Sequence, residues 1–310
     1  TVIMLYLKLF HKNIFPFRKV CQLKLAKNIS TGCILYQDTK ESKLVTTEQI
    51  RGIRIITINR PEKNCINIAT ADALLQAFKD FDNDEDSKVA VLHGAGGNFC
   101  AGYDLQELSS MPDPMSALNR GRGPMGPTHY ETSKPVIAAI EGYAVAGGLE
   151  LALWCDIRIV EETSIMGVYC RRFGVPLVDG GTSRLPAIVG LGRALDLILT
   201  GRPIRPDYAM EIGLANSVTA CGAALGNAVF YAESLEKYPP EALRADRESA
   251  RRFYMCSSLE EALKNETARA KVALEEARIG ASRFVKGDGR HGSFKFFPGD
   301  PPSDPDSSNK

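Results

Sequence analysis

Beginning at Arg54, the stretch Arg54-Ile-Ile-Thr-Ile-Asn59 alternates in the manner of a half-buried strand, and Arg60-Pro-Glu-Lys-Asn64 ends it. Thr70 is expected to cap a helix in which Leu74, Leu75, Phe78 and Phe81 form one apolar face. The acidic run Asp82–Asp86 reads as a solvated turn, followed by a strand in Lys88-Val-Ala-Val-Leu-His93. Behind Pro135, the short apolar run Val136–Ile140 predicts a buried strand. After Gly148, the residues Leu149, Leu151, Ala152, Leu153 and Trp154 predict a helix packed on nearly all sides, and Asp156-Ile-Arg-Ile-Val160 a further strand. Strands alternating with helices in this rhythm define an α/β chain. Helical patterns follow at 183–189, 193–200, 206–212 (opened by Pro206), 223–238 and 240–252, with a long one from Leu259 to Ile279. Met111–Pro127 interrupts the rhythm with repeated Pro and Gly, and predicts a mobile insertion serving as a lid.

Composition narrows the class: 44% hydrophobic and 24% charged residues over 310 positions describe a globular chain long enough for a sizeable core. The net charge of +1 hides an asymmetry. Residues 1–37 hold Lys8, Lys12, Arg18, Lys19, Lys24 and Lys27 and no acid, so the rest of the chain is acidic on balance, which argues against a nucleic-acid partner. Spaced basic residues among Leu, Ile and Phe match an amphipathic mitochondrial presequence, with a secretory signal or a membrane-surface helix as alternatives. The apolar start is too short, and too broken by Lys8, to span a bilayer, and no membrane association of the body is expected. The eight cysteines never come closer than a dozen residues, and the four histidines are scattered, which excludes a zinc cluster and a disulfide framework; no metal is expected.

Two glycine-bearing junctions carry the candidate chemistry. The first follows the strand at 88–93: Gly94-Ala-Gly-Gly-Asn-Phe99, then Phe99-Cys-Ala-Gly-Tyr-Asp-Leu105. The second is Gly142-Tyr-Ala-Val-Ala-Gly-Gly-Leu-Glu-Leu-Ala152, where a helix opening at Gly147–Gly148 aims unpaired N–H groups forward. Glu150 is the one acid in the first turn of that apolar helix; it either caps, pairs or does chemistry. A dinucleotide site at Gly94–Phe99 is disfavoured by Phe at the sixth position, no Gly-x-Ser-x-Gly elbow is present, and Gly121–Gly126 lacks the strand and helix of a phosphate loop.

Together with Gly180-Gly-Thr-x-Arg-Leu-Pro186 and Leu199-Thr-Gly-Arg202, these junctions resemble the crotonase (enoyl-CoA hydratase/isomerase) superfamily over roughly residues 46 to 292. The resemblance implies a spiral of ββα repeats in 46–235 and a helical oligomerisation region in 236–292 that builds a homotrimer or dimer of trimers; composition sets apart a basic presequence or disordered segment in 1–45 and a disordered tail in 293–310. It implies an enzyme acting on acyl-CoA thioesters through an enolate, with coenzyme A arriving on the substrate and no other cofactor. The alternative is a family member that binds acyl-CoA with little catalysis and serves in assembly or regulation. By the same resemblance, the main-chain N–H groups of Tyr103 and Gly147 form an oxyanion hole, and Glu150 is the essential acid/base. Asn64, Cys65, Ala101, Gly102, Asp104, Leu105, Gly148 and Cys170 lie along the thioester and coenzyme A. The sequence departs from the two-glutamate pattern of the hydratases at Cys170, which stands where the second glutamate belongs. Asp179, in Pro176-Leu-Val-Asp-Gly-Gly181, is either its replacement or an Asx-turn residue.

Overall fold

The computed structural model describes residues 43–60, 63–118, 120–253 and 256–287; the basic N-terminal segment and the Pro/Asp/Ser-rich tail lie outside them. Within the described residues the strands are β1 (Val45–Ile50), β2 (Ile53–Ile58), β3 (Val89–Gly94), β4 (Val136–Ile140), β5 (Tyr143–Val145), β6 (Ile157–Glu161), β7 (Ile165–Gly167) and β8 (Ser217–Thr219). The helices are α1 (Ile68–Asn83), α2 (Leu105–Ser110), α3 (Gly147–Trp154), α4 (Gly181–Val189), α5 (Leu191–Thr200), α6 (Pro206–Glu211), α7 (Ala224–Glu236), α8 (Pro240–Arg252), α9 (Leu259–Ala270) and α10 (Leu274–Val285). A six-stranded sheet runs in the order β1-β2-β3-β4-β6-β8, antiparallel only in the β1–β2 hairpin. A second, two-stranded parallel sheet pairs β5 with β7.

The period of two divides the large sheet into faces. Ile53, Ile55, Val89, Val91, Ile137 and Ala139 point one way, where α7 meets them through Ala224, Ala228 and Ala232, small residues one turn apart that admit a close helix. Ile56, Ile58, Ala90, Leu92, Ala138 and Ile140 point the other way, into the larger core shared with α1, α3 and α4. Trp154 closes that core at the end of α3, edge-on to Phe78 at 4.7 Å, with its indole N–H donating to the Tyr130 carbonyl at 2.8 Å. Buried on both faces, the parallel strands read as continuous apolar runs, as Val136–Ile140 does.

Several local expectations need correcting. The cap of α1 is Asn67, whose Oδ1 accepts from the Thr70 amide at 2.9 Å and from the Thr70 hydroxyl at 2.6 Å. Thr70 is buried inside the first turn, because an Asx side chain reaches the third amide more readily. The long helix expected from Leu259 to Ile279 is broken by a 3-10 turn at Lys271–Ala273. The break lets Ala273 bury against α8 and brings Glu276 to the Ala242 amide at 2.9 Å, where it caps α8. The second half of the expected mobile lid is anchored: Arg122 is buried, donates to Asp72 at 2.6 Å and to the Ile68 carbonyl at 3.1 Å, and Met125 is fully enclosed. Arg122 is what the Pro/Gly count conceals. β5, β7 and β8, at three residues each, are too short to register as a period.

Candidate active site

The second sheet builds the junction. The Cys100 segment lies beside β5, donating its amide to Tyr143 at 2.8 Å and accepting from Val145 at 3.1 Å. β5 then passes directly into α3. This approach needs bare backbone: a Cβ on Gly148 would lie 2.1 Å from the Cys100 carbonyl oxygen. Gly102, at φ +100, sits so close to the start of α3 that a Cβ there would be 3.2 Å from the Gly147 nitrogen. The turn at Tyr103 and the N-terminus of α3 are thus held side by side. Among the described residues neither the Tyr103 nor the Gly147 amide donates to a protein acceptor. Ala146, between them in space, takes φ 53 and ψ −127, a conformation that L residues rarely adopt.

Tyr103, Gly147, Glu150, Cys170 and Asp179 line one cavity of about 570 Å³. Glu150 is only 3% exposed; its Oε1 accepts from the Asp179 and Gly181 amides, both at 2.9 Å. Among the described residues its Oε2 has no protein donor and is not sealed off, and the residue lines the cavity. Burial, and secondarily the charge of Asp179, push the Glu150 carboxyl up from 4.5 to about 7, against the pull of the two amides. Asp179 is built the same way. Its Oδ1 accepts from the Met125 amide at 3.0 Å and from the Thr128 hydroxyl, and its Oδ2 is left facing the cavity. Burial raises this carboxyl too, while the Thr128 and Met125 hydrogen bonds oppose the rise. Arg184 fixes the loop by donating to the Asp179 carbonyl at 2.8 Å and the Thr128 carbonyl at 2.7 Å. Cys170 is in the wall, and burial, then the charge of Glu150, raise its thiol, which stays neutral.

The remaining candidates divide. Ala101 and Leu105 line the cavity. Asn64 is buried away from it at φ 55, donating to the Ala95 and Asn98 carbonyls at 2.8 and 2.7 Å. The Cys65 carbonyl accepts from Arg60 at 2.6 Å, and Arg60 also pairs with Asp104 at 2.5 Å. Asp104 in turn caps α2 through the Gln106 amide at 2.9 Å. Asn64, Cys65, Gly102, Asp104 and Gly148 therefore brace the turns that present the site and are not part of the cavity wall. Sequence reasoning missed Met125 and Thr128, which hold Asp179, and Glu107, which accepts from the Tyr103 hydroxyl at 2.6 Å. Only the i, i+4 spacing of Tyr103 and Glu107 could have signalled any of them. Among the described residues no cluster of His, Cys, Asp or Glu is arranged to hold a metal ion.

An apolar cavity that sets two unengaged amides, one of them at a helix N-terminus, beside two half-anchored carboxylates is equipped for proton transfer at a carbon next to a carbonyl. That is the class of protein the fold and site define. Residues 48–287 match the family described as enoyl-CoA hydratase/isomerase, and the chain belongs to that family. It is 33% identical over 250 residues to an enoyl-CoA hydratase (EchA19) of Mycobacterium tuberculosis, covering 78% of this chain and 89% of the relative. It is 37% identical over 185 residues to enoyl-CoA hydratase domain-containing protein 2, mitochondrial, of Mus musculus, covering 58% of this chain and 62% of the relative. Among solved structures, enoyl-CoA hydratase EchA1 of Mycobacterium marinum superimposes with a TM-score of 0.74 at 34% identity, covering 79% of this chain and 96% of that chain.

Proposed function

We propose that the protein adds water to, or removes it from, 2-enoyl-CoA thioesters through an enolate whose oxygen is held by the amides of Tyr103 and Gly147. The observation that carries this reading is the convergence of those two amides and the open oxygens of Glu150 and Asp179 on one cavity. Each such amide is worth about 10²–10³ in rate when it meets charge that develops only in the transition state. Hydration also needs one group to take a proton from water as its oxygen bonds Cβ, and another to deliver a proton to Cα. The Glu150 carboxyl, raised to about 7 by burial and by the charge of Asp179, is about half protonated near neutral pH and so has a proton to give. Asp179 then acts as base and Glu150 as acid; in dehydration the roles reverse. Cys170, a neutral thiol, shapes the wall. Two acids held at the expense of burial favour catalysis over a role limited to binding acyl-CoA.

The test is turnover on a panel of enoyl-CoA, dienoyl-CoA and hydroxyacyl-CoA thioesters, followed by loss or gain of the conjugated thioester absorbance. No turnover on any member would overturn the reading. The exposed row Leu191, Leu195 and Leu199 on α5 supports assembly as a homotrimer or dimer of trimers, to be weighed by light scattering. The acid-free basic segment in 1–37 supports mitochondrial import, tested by the location of a C-terminally tagged chain.

A further inference from the structure

Membership of the family leaves the acyl group open, and the wall of the cavity narrows it. Beyond the amides and carboxylates, the acyl side is lined by Leu105, Leu108, Met115, Leu118, Phe173 and Val178, with no Lys, Arg or His in the wall among the described residues. The charged groups that do face it, Glu150 and Asp179, are both acids. A second carboxylate on the acyl chain would find no cation in the described lining to pair with and would be desolvated beside like charge, which is unfavourable on both counts. The volume leaves room for more than a small acyl group beside the thioester: at about 30 Å³ per heavy atom, taking the liquid share of a water molecule, four carbons fill only about 120 Å³. At the mouth, Leu105, Met115 and Leu118 are 41%, 55% and 40% exposed, so apolar side chains of α2 and the 3-10 turn after it stand half in water. An extended chain leaving the thioester would cover them.

Resting on the thioester reading above, we infer that the cavity takes an uncharged, apolar acyl chain of medium length or longer, gripped at its far end by Met115 and Leu118, and rejects acyl groups that carry a second carboxylate.

Saturated thioesters bind without reacting, so their affinities test this independently of turnover. Titration of butyryl-, hexanoyl-, octanoyl- and decanoyl-CoA into the full-length protein should show dissociation constants falling by about two- to fourfold per methylene, the upper figure being that for complete burial. Adipoyl-CoA should bind at least about tenfold more weakly than hexanoyl-CoA, from desolvation of its second carboxylate. Because Met115 and Leu118 are exposed, Met115→Ser/Leu118→Ser should fold, as its melting curve would verify. It should shrink the ratio of butyryl- to decanoyl-CoA dissociation constants by about tenfold, as expected for losing about two methylenes of burial. A flat series from butyryl to decanoyl, adipoyl-CoA binding as tightly as hexanoyl-CoA, or an unchanged ratio in a folded double variant would each overturn the inference. A steep series in a protein that turns over no enoyl-CoA would instead refute the reaction and leave the chain-length assignment standing.

Discussion

Glu150→Gln separates what the buried acid does for catalysis from what it does to stability. In the unfolded chain this carboxyl ionises around 4.5; in the fold it does so at about 7. Between those values the folded protein holds more protons than the unfolded one, so stability falls as pH rises through the window, and the loss is complete above about 7. A shift of this size corresponds to on the order of 3 kcal/mol. Gln retains a carbonyl-type oxygen for the Asp179 and Gly181 amides, at 2.9 Å each in the native protein, and removes only the titratable charge. The variant should therefore melt close to the native protein at pH 4.5 and above it at pH 8. For a chain of this size about 2 °C accompanies each kcal/mol, which gives a gap of about 6 °C. Turnover should fall by about 10²–10⁴ in the same preparation, as for the loss of a positioned acid/base group. Thermal melts across pH 4.5–8.5, run beside the enoyl-CoA assay, provide both readings. A gap that fails to widen with pH, or a Gln variant less stable than native at pH 8, would refute the account of a carboxylate held against its burial.

Asp179→Asn should cost about 10²–10⁴ in turnover and, by removing the charge that helps raise Glu150, move the activity limb near pH 7 downward; a pH–rate profile checks both. Cys170→Ala should leave turnover near native, and thiol alkylation at pH 7 should be slow, because burial raises that thiol; rapid inactivation by iodoacetamide would contradict this. Ala146→Gly should stabilise by up to about 2 kcal/mol, the relief of a rare backbone conformation less the added chain entropy of glycine, as a shift in the urea midpoint. Asp156→Ala should destabilise by up to about 3 kcal/mol, since it removes the carboxylate that pairs Arg247 and Arg251 at 2.8 Å each; a change below 1 kcal/mol by the same urea titration would show that α8 docks through its apolar contacts instead.

What the sequence disclosed follows how locally each feature is encoded. Val136–Ile140 and Leu149–Trp154 announce themselves because burial on all sides writes an unbroken apolar run. The glycines at 102 and 148 are legible for a similar reason: the close approach of two turns leaves no alternative residue. Long-range contacts are not written locally. Nothing near Asn64 says that its amide will clamp carbonyls more than thirty residues away. The anchoring of the Gly/Pro-rich segment by Arg122 is hidden likewise, since the matching Asp72 is fifty residues upstream.

The proposed exchange of an acid at Cys170 for Asp179 is supported by geometry. A 3-10 turn carries Cys170, and after Gly174, at φ 71, the chain runs without regular structure along the cavity through Val175, Pro176 and Val178 until Gly180 and Gly181 open α4. Two positions nine residues apart in sequence therefore face the same space. A carboxylate at 170 would need donors from the turn; at 179 it finds them ready-made in the Met125 amide and the Thr128 hydroxyl, and its own amide holds Glu150. The aspartate is thus tied to the glutamate twice, through its backbone and through its charge, which a group at 170 could match only in the second respect. The chemistry constrains where an acid stands relative to the amides of Tyr103 and Gly147, and leaves free which residue of the bordering chain supplies it.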